Sequence, residues 1–103
     1  MSDDWIKRVT DPDGREVVFD AGSHLHLVRR GRGWLIDNID VVLGAIERPD
    51  YREGDPIADR ERFLRQDFPF PGQWLRVVVD FTEEPAWVVT ALQQDDDPRL
   101  QQQ

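Results

Sequence analysis

Two histidines, His24 and His26, and an uneven scatter of arginines are the residues of this 103-residue chain best suited to moving protons or holding an anion. Residues 21–36 contain both histidines together with Arg29, Arg30 and Arg32, and no acid, in a chain of net charge −8. An approaching anion is repelled nearly everywhere else, which makes Arg29 and Arg30 candidate anion-binding residues. Farther along, Arg62, Arg65 and Arg76 fall in stretches with the pattern of strands. A histidine beside arginines on a sheet suits metal-independent cleavage of RNA. His24 would move protons to and from the 2′-hydroxyl and the leaving oxygen, while Arg76 and either Arg62 or Arg65 stabilise the extra charge of the phosphorane. Thr90, on the last apolar strand, lies opposite Arg76 or points away from it. A plainer reading stands beside this one. A histidine at a helix start also serves as a cap, and an arginine beside Glu61 or Asp80 also makes a cross-strand ion pair.

Other chemistries lack their residues. There is no Gly-rich phosphate loop, serine nucleophile elbow or HExxH pair. The glycines around Arg32 lack the strand before and the helix after that a dinucleotide site needs. Asp95, Asp96 and Asp97 are adjacent and cannot all point at one ion, so they read as a solvated tail. With no cysteine and two histidines, neither a metal centre nor a cofactor is expected. The excess of 21 acids over 13 bases argues against non-specific binding to DNA or to an anionic membrane. Apolar runs fall far short of the ~20 residues of a membrane span, and the first twenty residues hold no apolar leader core. The expectation is a soluble cytoplasmic protein of one domain.

Periodicity supplies the elements that position these groups. Asp11-Pro12-Asp13-Gly14 is a turn signal, and Arg15–Phe19 follows as a short strand. Ser23 is the expected N-cap of a helix reaching Arg30, stopped by Gly31 and Gly33. Leu35, Ile39, Val42, Leu43 and Ile46 make one apolar stripe, predicting a helix over Leu35–Arg48 that Pro49 ends. Residues 50–59 read as a loop. Strands are expected at Arg60–Phe68, Trp74–Phe81 and Ala86–Leu92, the last two forming a hairpin. Arg62 and Arg65 are separated by an odd number of positions, so only one can face the same way as Arg76. Thr90 should share a face with Val88 and Leu92. The sum is an α+β domain over residues 1–92, a short N-terminal strand and two helices followed by an antiparallel three- to four-strand meander, with the helices on one face. Residues 93–103 read as a polar, flexible tail.

These stretches resemble the small bacterial and phage domains of the barnase, EndoU, colicin and RelE type of ribonuclease fold. The resemblance rests on Asp11–Val18, His24-Leu25, Ala45–Asp50, Arg60-Glu61-Arg62-Phe63, Trp74–Asp80 and Val88-Val89-Thr90-Ala91, in order over residues 11–92. It implies His24 as the acid/base, Arg76 and Thr90 at the phosphate with Arg62 or Arg65 assisting, and a toxin or phage-defence role. The chain departs from those relatives in having Arg29-Arg30-Gly31 where a second histidine motif usually stands, and in being acidic. Two further readings therefore stay open. One is an acidic antitoxin or immunity protein that masks a basic partner, with Trp5, Trp34, Trp74 and Trp87 as interface anchors. The other is a degenerate member that binds a protein or a small anion. Exposure of Trp34 or Trp74 near His24 would favour a stacking platform or a docking surface; burial of both would make them core.

Overall fold

Asp11 closes the first turn as its sequence signal requires. The computed structural model describes residues 7–102, apart from the side chains of 101 and 102. In it the buried Asp11 carboxylate accepts the backbone N–H groups of Asp13 and Arg15 at 3.0 and 2.8 Å. Gly14 supplies the φ of +86° that ends the turn, a conformation costly for any residue with a Cβ. The turn joins β1 (Lys7–Thr10) to β2 (Glu16–Phe19) as an antiparallel hairpin. Sequence reading had expected one strand here. The second, β1, is short and holds a single partly buried apolar residue, Val9, so it carries almost no pattern.

The rest of the sheet is β3 (Tyr51–Gly54), β4 (Arg60–Gln66), β5 (Trp74–Asp80) and β6 (Ala86–Gln94). The six strands lie in the order β1-β2-β6-β5-β4-β3. The expected meander is present as β4-β5-β6, but the sheet is mixed, because β2 runs parallel to β6. Residues 51–54, expected as loop, add a strand to the edge of β4. Gln93 and Gln94, assigned to the tail by sequence, belong to β6. A 3₁₀ turn follows at Pro98–Gln102, with Pro98 fully buried.

Helix α1 (Ala21–Arg29) is capped by Asp20, not by Ser23. The Asp20 carboxylate accepts the Ser23 N–H at 3.0 Å and the Ser23 hydroxyl accepts the Asp20 N–H at 3.3 Å, a reciprocal capping box. The helix ends at Gly31, whose φ is +72°. Arg32 N–H then reaches the Leu27 carbonyl and Gly31 N–H the Val28 carbonyl, a Schellman closure that fixes where Arg32 departs. The long helix expected over Leu35–Arg48 is divided. A 3₁₀ segment at Gly33–Asn38 precedes α2 (Ile39–Glu47), and Arg48 caps it before Pro49.

One face of the sheet and both helices share a single core. Phe63, Leu75, Val77, Val79 and Ala91 pack with Leu27, Leu35, Val42 and Ile46, all fully buried. Burying each of the larger of these side chains stabilises the fold by about 1.5–3 kcal/mol. The architecture is therefore α+β, a six-stranded mixed sheet with two helices. No described helix is long and apolar enough to cross a membrane.

The other face follows from the register. Arg62 pairs with Val78 and Val78 with Thr90; in the next row Leu64 pairs with Arg76 and Arg76 with Leu92. A bulge intervenes, since Val79 faces Val88 while Val78 faces Thr90, leaving Val89 as the extra residue. Thr90 therefore does not share the face of Val88, which is in the core, as simple alternation had predicted.

Candidate phosphate site between helix α1 and strand β6

Strand β2 ends at Phe19, so beyond Val88 one edge of β6 pairs with no described strand, and α1 packs beside it. Ser23 donates its hydroxyl to the Val88 carbonyl at 2.6 Å, tying the first turn of the helix to the strand edge. This hydrogen bond gives a buried backbone acceptor a side-chain donor. With α1 fixed there, its i, i+3 positions Ser23 and His26 face a cleft of about 570 Å³, whose other walls include Asp20, Glu83, Trp87 and Val89.

The helix exit brings Arg32 to the neighbouring stretch of β6. Arg32 leaves the Schellman turn and its Nη1 donates to Thr90 Oγ1 at 3.1 Å. The acid-free segment that sequence singled out is thus folded onto the strand position expected to line a phosphate. His26 lies within reach of this charge. Burial first, then the positive charges of Arg30 and Arg32, hold its imidazole below the ordinary value of 6.5, so it is neutral at pH 7 and able to accept a proton.

Arg76 and Thr90 occupy diagonal positions on β5 and β6, on the face away from the core. Arg76 is half-buried and its Nε donates to Gln94 Oε1 at 2.7 Å. Desolvation, then the like charge of Arg62, lowers its pKa from the ordinary arginine value, against the opposing attraction of Glu53 and Asp55.

The remaining sequence candidates divide sharply. Arg62 shares the face of Arg76, but its Nε donates to Asp55 at 2.8 Å and its Nη1 to Glu53 at 3.1 Å, so its charge is already met. Arg65 pairs with Leu75 on the opposite face and approaches Gly44 of α2, so Arg62 is the one aligned with Arg76. Arg29 and Arg30 are exposed, Arg30 close enough to bias His26. His24 is half-buried and is not among the residues lining the cleft. Two positions along a helix rotate a side chain by ~200°, so His24 and His26 cannot both face it. Sequence reading chose His24 and left His26 aside. The signal that could have decided between them is the heptad-like spacing of Ser23, His26 and the buried Leu27.

A cross-strand ion pair of the kind that competed with a catalytic role is present between Arg60 and Asp80 at 3.0 Å, while Glu61 meets Arg15 of the β1–β2 turn at 2.9 Å. Trp74 is 4% exposed and belongs to the interior, whereas Trp34 is 38% exposed on the 3₁₀ segment after α1. Trp5 lies outside the described residues. Among the described residues no group of three His, Asp or Glu is placed to hold a metal ion. Compared with known proteins, the chain matches no family model, no curated protein and no solved structure.

Proposed function

We propose that this chain is a small metal-independent ribonuclease, of toxin or phage-defence type, whose site is the cleft between α1 and β6. The observation that carries this reading is the contact of Arg32 with Thr90, beside a histidine whose pKa is lowered. A phosphodiester reaching from the cleft over the adjoining face of β6 would meet donors from Arg32 and Thr90, with Arg76 diagonal to Thr90 on β5. Neutral His26 would take the proton of the 2′-hydroxyl as its oxygen attacks phosphorus and the bond to the 5′-oxygen breaks. The products are a 2′,3′-cyclic phosphate and a 5′-hydroxyl, the latter protonated by the imidazolium. The arginines would stabilise the charge gathered on the non-bridging oxygens, and the half-buried ring of Trp87 offers a surface for a base. The resemblance of residues 11–92 to the barnase and RelE type of fold supports the same assignment. Few phosphates are gripped, so binding should depend only weakly on salt.

A second reading is favoured by Arg62. Because Glu53 and Asp55 already neutralise it, the site is short of one cation, which suits a degenerate member that holds an anion without cutting it. Incubation of the purified protein with bacterial RNA in the presence of a chelator separates the two. Cleavage lost in His26→Ala and Arg32→Met but kept in His24→Ala supports the nuclease. Absence of cleavage by folded protein across salt and pH removes it.

A further inference from the structure

We propose that Gln94 is a positioning residue, fixed by the C-terminal turn, that holds Arg76 for an anion without neutralising it, a role that rests on the reading of this face of the sheet as a phosphate site. Arg76 pairs with Leu92, so its diagonal neighbours on β6 are Thr90 to one side and Gln94 to the other, all on the face away from the core. Its Nε donates to Gln94 Oε1 at 2.7 Å. A guanidinium is planar and its donors stand in a fixed fork. An Nε given to Gln94 therefore turns the edge that carries the two Nη groups away from Gln94.

The acceptor is an uncharged amide, and its neighbours show what a carboxylate does instead. In the adjoining row Arg62 donates to Asp55 and Glu53, and its charge is met where it stands. Arg60 is held in the same way by Asp80. Gln94 orients Arg76 as firmly and adds no negative charge of its own. Arg32 is placed by a contact of this second kind, through the Thr90 hydroxyl. Thus the two guanidiniums associated with Thr90, one by contact and one on the diagonal, are both directed by neutral oxygens.

An amide serves this way only if it is kept from turning over. Gln94 Nε2 donates to the Asp96 carbonyl at 2.7 Å, which fixes Oε1 on the Arg76 side. The chain beyond Asp96 holds that carbonyl in place. Pro98 is fully buried, the Asp97 carboxylate accepts the Arg99 N–H at 2.9 Å, and Leu100 N–H reaches the Asp97 carbonyl at 3.1 Å. The Arg99 guanidinium stands 5.2 Å from the ring centroid of Trp74, which pairs with Gln94. Residues 95–100, which read in the sequence as a polar tail, thus form a strap that sets one hydrogen bond on the sheet. Gln93 is the natural comparison. It pairs with Leu75 of the core, and its amide reaches the Asp95 carboxylate at 2.6 Å, so it meets the same strap from the face opposite Arg76.

The test titrates inorganic phosphate into the isotopically labelled full chain while the Nε–H signal of Arg76 is followed. Phosphate should shift that signal saturably. In Gln94→Leu, which keeps the bulk and loses both hydrogen bonds, the Nε–H should exchange faster with water and phosphate should bind about tenfold more weakly. Gln94→Glu keeps an acceptor for Nε but supplies a charge, so the signal should stay protected while phosphate again binds about tenfold more weakly. Gln93→Leu should change binding by less than about twofold. An Arg76 signal that phosphate leaves unmoved, wild-type affinity in Gln94→Leu or Gln94→Glu, or equal losses in Gln93→Leu and Gln94→Leu would overturn the proposal. RNA cleavage is scored on the same variants. Phosphate binding that follows this pattern in a protein that cuts no RNA removes the nuclease and keeps the positioned cation, whereas cleavage at the wild-type rate in Gln94→Leu removes the role of Gln94 and keeps the nuclease.

Discussion

Arg32 and Thr90 are 58 positions apart in the chain and 3.1 Å apart in space. Everything between them serves that approach: the Schellman turn aims Arg32, and the bulge at Val89 turns Thr90 to the face opposite the core. Removing the guanidinium in Arg32→Met should therefore act twice. RNA cleavage should fall by about a hundredfold, the usual loss of one charge-stabilising donor. The His26 pKa, followed by the NMR shift of its ring protons, should rise toward 6.5, because one of the two positive charges opposing its protonation is gone. A His26 titration unaltered in the variant would separate Arg32 from the site.

The same His26 sets the direction of the pH profile. Its folded pKa lies below the ordinary 6.5, so its base form is complete above that value and is lost as pH falls through the lower one. The acidic limb of the rate should therefore bend below pH 6.5. In Arg32→Met the bend should move up with the pKa. A limb centred above 6.5 in the wild-type protein would point to a different base.

Arg76 and Arg65 form a matched pair of predictions because both are strand arginines on opposite faces. Arg76→Gln keeps an amide near Gln94 and removes the charge, so cleavage should drop by about a hundredfold with the melting temperature little changed. Arg65→Gln should leave activity within about twofold, since that side chain lies toward α2. Equal losses in both would mean that the register does not decide who touches the substrate.

The β4-β5-β6 meander, the α+β class and α2 were legible because they rest on periodicity: Leu75, Val77 and Val79 alternate, and Ile39, Val42, Leu43 and Ile46 recur at helical spacing, though Leu35 falls in the 3₁₀ segment before α2. Of the candidate site, the acid-free segment and the shared face of Arg62 and Arg76 were readable from spacing. What escaped were features that local pattern does not encode. The parallel pairing of β2 with β6 joins residues nearly seventy positions apart. The bulge at Val89 reverses the face of Thr90. The cap at Asp20 rather than Ser23 sets α1's phase on the strand edge and so exposes His26, not His24, to the cleft.

Asp11, Asp13, Arg15, Arg52 and Glu61 form one network that fastens the first turn to β3 and β4. Arg15 and then Arg52 hold the Glu61 carboxyl below its ordinary 4.5, against the opposing effect of burial. A carboxylate with a lowered folded pKa adds stability that is complete above its unfolded value and lost as pH falls through the folded one. Melting temperatures should therefore decline below about pH 4.5, and the decline should be shallower in Glu61→Gln. Asp11→Ala, which strands two backbone donors as well as Arg15, should cost about 2–3 kcal/mol at pH 7. A pH dependence identical in Glu61→Gln and wild type would show that other carboxylates govern acid unfolding.

Ser23 is small, polar and buried, and its hydroxyl donates to the Val88 carbonyl on the edge of β6. Ser23→Ala removes that donor and weakens the capping box from one side. The expected loss is about 1–3 kcal/mol, or roughly 4–20 °C in melting temperature for a domain of this length. Ala21→Ser, exposed on the same turn, should change it by less than about 0.5 kcal/mol. The Ser23 variant should also lose cleavage beyond what its stability explains at 25 °C, because α1 carries both His26 and the exit that aims Arg32. If Ser23→Ala is destabilised yet fully active, the helix does not need the strand edge to hold the site together.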